Sequence, residues 1–253
     1  MKIRVLGAYG AEGLGQRPTS FLVNDRILID AGTVGGALTM PEQTHIEHAL
    51  ITHSHLDHVA GLAFLTETLA FSETRVPLTV ASLEPVVNAL RASVFNNVTW
   101  PDFAQIPPDA PVMKYRTLVE DAEQRVGDAW VTPVPVNHTV PTTGFIVHDG
   151  GTGFIFSGDT GPTEALWKAA RGLRGLRAAF VECAFPNRMA KLAEVARHMT
   201  PDLLRRELDK LPPDLPVWIY HIKPQFYDEI VDELSRVDAG HIIVLEQDKT
   251  YTL

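Results

Sequence analysis

Thr52-His53-Ser54-His55-Leu56-Asp57-His58 follows directly on the apolar run Ala49-Leu50-Ile51, and its reading decides the fold. In extended chain, residues two apart point to the same side, so His53 and His55 can converge on one metal ion. If the chain turns into a helix near Leu56, Asp57 and His58 enter the same cavity from its first turn. Neutral imidazoles and a carboxylate suit zinc, and also iron or manganese. Four liganding residues within six positions are enough to serve two divalent ions.

Working outward, three more candidate ligands fall where other apolar runs end. His138 follows Trp130–Val136, Asp159 follows Phe154–Phe156 in Ser157-Gly158-Asp159-Thr160, and His221 follows Val217–Tyr220. Further short strands are expected at Ile3–Leu6, Ser20–Val23, Ile27–Ile29, Leu78–Ala81, Phe145–Val147, Ala178–Val181 and Ile242–Leu245. Asn24-Asp25 and Asp149-Gly150-Gly151 read as hairpin turns. Helices are expected at Leu83–Phe95, Thr163–Arg171, Arg188–Arg197, Pro201–Leu211 and Pro224–Arg236. Thr200-Pro201-Asp202 supplies a capping hydroxyl, a proline at the first helical position and an early acid. Hairpins come first and strands then alternate with helices, which predicts two mixed sheets covered by helices, a layered α/β protein. Neither Pro107–Pro111 nor Pro212–Pro216 is long enough for an interdomain linker, so residues 1–253 are read as one domain.

The composition narrows function. The 253 residues carry 22 Lys and Arg against 31 Asp and Glu, a net charge of −9. That balance opposes a stable nucleic-acid complex, whose affinity rests on cations neutralising phosphates. A small anionic substrate remains compatible if metal ions supply the positive charge. Cys183 is the single cysteine, which excludes an intrachain disulfide and a Cys-rich zinc finger. With neither a secretory leader at Met1–Gly7 nor an uncharged apolar run of about 20 residues, the chain reads as soluble and cytoplasmic. A homodimer is compatible with the sequence.

His-x-His-x-Asp-His, followed by a downstream His, an Asp in a Ser-Gly-Asp turn and a last His, resembles the pattern of metallo-β-lactamase-fold hydrolases. The resemblance implies an αββα sandwich. It also implies one metal held by His53, His55 and His138, a second held by Asp57, His58 and His221, and Asp159 bridging them. Asp30, in Leu28-Ile29-Asp30-Ala31-Gly32, matches the early Asp-x-Gly turn that buttresses the metal loop in such proteins without binding metal.

Fold alone does not choose among the lactamases, thioesterases, glyoxalases, oxidoreductases and phosphodiesterases built this way. Val181-Glu182-Cys183-Ala184 and His198-Met199-Thr200 resemble the Glu and His motifs of phosphodiesterase members such as tRNase Z. Within that branch several stretches resemble class II cyclic nucleotide phosphodiesterases: His53 to Leu62, Val98-Thr99-Trp100-Pro101-Asp102-Phe103, His198-Met199-Thr200-Pro201 and His221-Ile222-Lys223-Pro224. After Gly61-Leu62, the stretch Ala63-Phe64-Leu65-Thr66-Glu67 departs from the pattern of that family. The resemblance implies hydrolysis of a small phosphodiester, foremost a 3′,5′-cyclic nucleotide, by metal-activated water. In it Asp57 handles the water's proton, and His198, oriented by Glu182, assists the leaving oxygen. Lys223, Trp100 and Thr200 are the candidates for substrate contact. Each also has a structural reading: His198 at a helix end, Glu182 as a buried acid, Trp100 packed in the fold instead of stacked on a base, and Lys223 flanking the metal loop. The alternatives are a tRNase Z-like nuclease and a di-iron redox or sensor protein. His55 opposes the latter, which usually has Glu there.

Overall fold

The computed structural model describes residues 1–73, 76–237 and 241–253. Two seven-stranded sheets face each other. The first holds β1 (Lys2–Gly7), β2 (Ser20–Val23), β3 (Ile27–Ala31), β4 (His48–Leu50), β5 (Leu78–Ser82) and β6 (Met113–Thr117). The second holds β7 (Gln124–Val126), β8 (Ala129–Pro135), β9 (Thr143–His148), β10 (Gly153–Phe156), β11 (Leu176–Glu182), β12 (Val217–Tyr220) and β13 (Ile242–Val244). β14 (Thr250–Thr252) returns to the free edge of the first sheet, antiparallel to β1. Each half repeats one plan, antiparallel hairpins followed by parallel strands, from β3 to β6 and from β10 to β13. The turn between β2 and β3 places Asn24 and Asp25 at φ 50° and 57°. Positive φ at both central residues gives the twist that a two-residue hairpin needs.

The helices are α1 (Met40–Gln43), α2 (Leu56–Ala70), α3 (Glu84–Ser93), α4 (Ala165–Ala170), α5 (Ala190–Ala196), α6 (Pro201–Leu208) and α7 (Tyr227–Ser235). Alternation along the strands sorts the core into layers. Phe21 and Val23 point inward with Phe154, Phe156 and Phe180 to fill the space between the sheets. Leu22 and Leu28 point outward beneath Val59, Leu62 and Leu65 of α2 and Val86 and Leu90 of α3. Ile155 and Ile219 point outward beneath Leu166 and Trp167 of α4, Leu204 of α6 and Ile230 of α7. The architecture is the αββα sandwich. Strands buried on both faces appear in sequence as unbroken apolar runs rather than alternating ones.

Three strands, β6, β7 and β14, and the short helix α1 were not apparent as apolar runs. β4 ends at Leu50, one residue short of the apolar run Ala49–Ile51; Ile51 N still donates to Ala81 O at 3.0 Å, and Thr52 N then turns to Asp30 Oδ1 at 2.8 Å.

Strand direction gathers the chemistry at one edge. β10, β11 and β12 are parallel, and β8 runs the same way because only antiparallel β9 separates it from β10. Their carboxyl ends therefore deliver His138, Asp159, Glu182 and His221 to the same side. In the first sheet the ends of β3 and β4 deliver Asp30 and His53. Thr143 N donates to Thr52 O at 3.0 Å, so the two halves are tied directly beneath the metal loop.

Candidate metal centre

His53 and His55 leave β4 in extended chain, and His55 is the N-terminal flank of α2, with φ −65° and ψ 148°. Asp57 and His58 lie in the first turn of that helix. Two close approaches fix the loop. A Cβ on Gly32 would lie 2.0 Å from Asp57 O, and one on Gly10 would lie 2.7 Å from His221 O and 2.8 Å from the His221 ring. Only glycine allows the neighbouring backbone at either place. His221 itself has φ 62°, and its N–H donates to Ala8 O at 2.6 Å. Asp30 also adopts a left-handed conformation, at φ 54°. Such backbone costs about 1–2 kcal/mol for a side-chain-bearing residue, so the surrounding contacts must hold it in place.

Four overlapping groups of donor atoms each lie within 4.8 Å: His53, His55 and His138; Asp57, His58 and His221; His53, His58 and Asp159; and His138, Asp159 and His198. Asp159 Oδ2 is 3.1 Å from His221 Nε2, 3.3 Å from His58 Nε2 and 3.7 Å from His53 Nε2. One carboxylate oxygen thus faces nitrogens from both halves of the molecule. His53 Nε2 and His55 Nδ1 approach to 3.0 Å, and His138 Nε2 lies 3.3 Å from the same His55 atom. Asp57 Oδ2 is 3.8 Å from His221 Nε2 and 3.9 Å from His58 Nε2. Asp57 and His55 are partly exposed, whereas His53, His58, His138, Asp159 and His221 are buried.

For His53, His58, His221 and His138, the outer side of the ring settles which nitrogen faces inward. Thr52 Oγ1 donates to Asp30 and so accepts from His53 Nδ1 at 2.9 Å. His58 Nδ1 donates to Asp30 Oδ2 at 2.7 Å. His221 Nδ1 donates to Thr19 Oγ1 at 2.8 Å, whose own proton goes to Tyr9 O. His138 Nδ1 donates to Arg197 O at 3.2 Å. With those protons committed outward, the Nε2 lone pairs face the centre, the arrangement by which metal-binding imidazoles are fixed in tautomer and orientation. Thr19, Thr52 and the Arg197 carbonyl were not singled out from the sequence; hydroxyls and a backbone oxygen carry no spacing signal there.

Two observations say that these residues fit divalent cations. His58 Nε2, His221 Nε2 and Asp159 Oδ1 are buried without a hydrogen bond. Such groups are costly unless a ligand completes them. The electrostatics are also those of a cation trap. Burial keeps His53, His55 and His138 from charging, so they stay neutral donors. Against the cost of burial, Asp159 and Asp30 raise His58 well above its usual range. Against the same cost, His221 and His58 hold Asp159 well below the carboxylate range. A proton is thereby attracted to the place a metal ion would take.

Beside this cluster stands a second device. Glu182, fully buried, accepts from His198 Nδ1 at 2.7 Å and from Thr160 N at 3.0 Å, and its other oxygen accepts from Met199 N at 3.3 Å. Burial disfavours the charged His198, but the Glu182 carboxylate outweighs it and raises the imidazole above its ordinary value. The His198 ring lies 5.0 Å from that of His138 and 5.6 Å from that of His221. One of its nitrogens lies within 4.8 Å of donors on His138 and Asp159.

The other sequence candidates sit differently. Thr200 is buried and caps α6, its hydroxyl accepting from Leu203 N at 3.3 Å. Lys223 Nζ donates to Gly10 O at 2.6 Å, tying the N-terminal glycine turn to the His221 loop. Trp100 is half-buried, 5.5 Å from the Phe64 ring, and packs against the layer of α2 and α3. The structure brings neither Thr200 nor Trp100 into contact with the cluster.

The comparisons with known proteins agree with this geometry. The β-lactamase superfamily domain matches residues 25–222, a span that contains every candidate ligand from His53 to His221. The chain is 30% identical over 206 residues to a probable 3′,5′-cyclic-nucleotide phosphodiesterase of Yersinia pestis, covering 72% of this chain and 58% of that relative. The match thus spans little more than half of that protein's length. Unliganded yeast PDE1 superposes with a TM-score of 0.84 at 20% identity, covering 100% of this chain and 99% of that one. The short form of human tRNase Z superposes with a TM-score of 0.71 at 15% identity, covering 100% and 99% of the two chains. The sandwich, the histidine-rich turn after β4 and the matched span lead to one conclusion: the chain belongs to the β-lactamase superfamily and has the metallo-β-lactamase fold.

Proposed function

We propose that residues 1–253 form one catalytic domain that hydrolyses a small phosphodiester, foremost a 3′,5′-cyclic nucleotide. One observation carries this reading: the Glu182–His198 pair, joined at 2.7 Å beside His138 and Asp159. A lone metal cluster serves many reactions, but a buried imidazole aligned by a carboxylate beside it offers a proton to a departing oxygen. The relative named as a probable cyclic-nucleotide phosphodiesterase supports the substrate class.

His53, His55 and His138 would hold one divalent ion and Asp57, His58 and His221 the other, with Asp159 shared. Zinc suits this donor set best, with manganese or iron as alternatives. Bound there, the ions supply Lewis acidity toward a phosphate oxygen and toward water. The remaining work falls to the chain. Asp57, partly exposed, takes the proton of an attacking water at Oδ2. His198 keeps its Nδ1 proton on Glu182, so its other nitrogen is the one that protonates or hydrogen-bonds the leaving ribose oxygen. Asp30, Thr19 and Thr52 hold the rings so that none must turn during turnover.

The test is a panel: metal-replete protein assayed on cyclic AMP, cyclic GMP, a linear dinucleotide, a chromogenic diester and a precursor tRNA. Turnover of a cyclic nucleotide well above that of tRNA supports the reading. Efficient tRNA cleavage without activity on small diesters would make it a tRNase Z-like nuclease.

A further inference from the structure

A cavity of about 480 Å³ opens where three segments of the site meet. It is lined by Asn137, which precedes His138, by Gly161, two residues after Asp159, and by Arg197, which precedes His198. Lys191 of α5 and Arg206 of α6 also line it, with Glu194 as the single acid in the lining. No candidate metal ligand takes part.

In a chain of net charge −9, three cationic residues line one concave space. Nearby Arg188 and Lys210 are paired with Glu229 and Glu207. Among the described residues, Lys191, Arg197 and Arg206 form no ion pair. Unpaired cations around a hollow are suited to a charge-assisted grip on an anion. Leu203, Ala193 and Pro162 supply apolar lining. The volume is in the range of about 300–1,000 Å³ that holds a compact organic ligand, not merely an inorganic ion.

Arg197 connects this cavity to the metal centre. Its Nη1 donates to His138 O at 2.5 Å, while its own carbonyl accepts from His138 Nδ1 at 3.2 Å. The residue holding His138 from behind is therefore also one that lines the cavity. An anion that draws on that guanidinium acts on the clasp, and by linkage the state of His138 acts on anion affinity.

We propose that this cavity is an anion site, separate from the metal cluster, for a small organic phosphate monoester, and that Arg197 couples its occupancy to His138. The phosphate is gripped by Lys191, Arg197 and Arg206, and the organic body rests on Leu203, Ala193 and Pro162. This inference does not depend on which diester the metal centre hydrolyses.

The test uses metal-replete protein, titrated by calorimetry with adenosine 5′-monophosphate, inorganic phosphate and adenosine. Wild type is compared with the Lys191→Ala/Arg206→Ala double variant, and melting temperature and metal content are measured alongside. The monophosphate should bind the variant about tenfold or more weakly, as expected on losing two charged donors. Inhibition of chromogenic-diester hydrolysis by the monophosphate should contain a non-competitive component in the wild type that the variant lacks. Equal monophosphate binding by both proteins, or purely competitive inhibition of equal strength in both, would overturn the site. Inorganic phosphate as tight as the monophosphate would overturn the organic body's role, and tight adenosine binding would overturn that of the anion. Arg206→Ala alone gives the same comparison should the double variant melt early.

Discussion

At the scale of single residues, the centre depends on groups that never touch a metal. Asp30 accepts from Thr52 N, Thr52 Oγ1 and His58 Nδ1, and so orients both His53 and His58. Asp30→Ala should reduce metal affinity by about 10–100-fold, the usual loss when such orienting partners are removed. Metal titration by a competing chelator measures it; unchanged affinity would show that the rings are held by packing alone. His198→Ala should lower kcat by about 10²–10⁴-fold, the scale of a general acid, with metal content intact. A nitrophenyl diester, whose leaving oxygen needs little protonation, should lose much less. Equal losses on both substrates would point to phosphate binding instead. The histidines and aspartates of this site were legible in the sequence because their spacing is unusual and each follows an apolar run. Thr19, Thr52 and the Arg197 carbonyl were not, since only the folded chain brings them to the rings. Thr200 and Trp100 show the converse: residues in a suggestive motif whose contacts are those of a helix cap and a packed side chain.

At the scale of elements, one buried acid ties α4 to α6 in the second helical layer. Glu207 of α6 accepts from Trp167 Nε1 at 2.7 Å and Thr163 N at 3.1 Å, and pairs with Lys210 at 2.7 Å. Glu207→Ala leaves the indole and amide donors without partners and should destabilise the fold by about 2–4 kcal/mol, read by denaturant unfolding. A loss below 0.5 kcal/mol, roughly that of a surface change, would contradict this assignment. Acid should loosen α1 for a different reason. Hydrogen bonds from Thr39, reinforced by Arg4, lower the Glu42 pKa to about 2. A depressed carboxylate contributes stability above its unfolded value of 4.5 that is lost as pH falls toward 2. The contribution is small because Glu42 is exposed, and Glu42→Gln should flatten the stability profile in that window. An unchanged profile would remove the cap from the account. The strands that the sequence hid are explained by the same physics. β6, Met113-Lys114-Tyr115-Arg116-Thr117, is one edge of its sheet, and β14 and β7 are three-residue edge strands. Edge strands bury little and tolerate charge, so they lack the apolar run that marked the inner strands.

At the scale of the molecule, the two halves repeat one plan and bring their loops to one edge, where a net-negative protein concentrates candidate metal-binding groups. Its acidity opposes a long polyanion but not a single phosphate neutralised by two cations, which is why a small diester is expected over RNA. Among the described residues, no helix is long and apolar enough to cross a membrane. The central claim is that hydrolysis belongs to the cations held by the His53–His221 cluster. The direct measurement is to strip the protein with a chelator, restore metal stepwise, and follow metal content and cyclic AMP hydrolysis together in the wild type and in Asp159→Ala. The account predicts that the stripped wild type is inactive and regains activity as the two ions return. Asp159→Ala should hold less metal and stay inactive, because without the shared carboxylate two cations repel across a short gap. Full activity in the metal-free protein, or an Asp159→Ala variant with normal metal content and turnover, would contradict it.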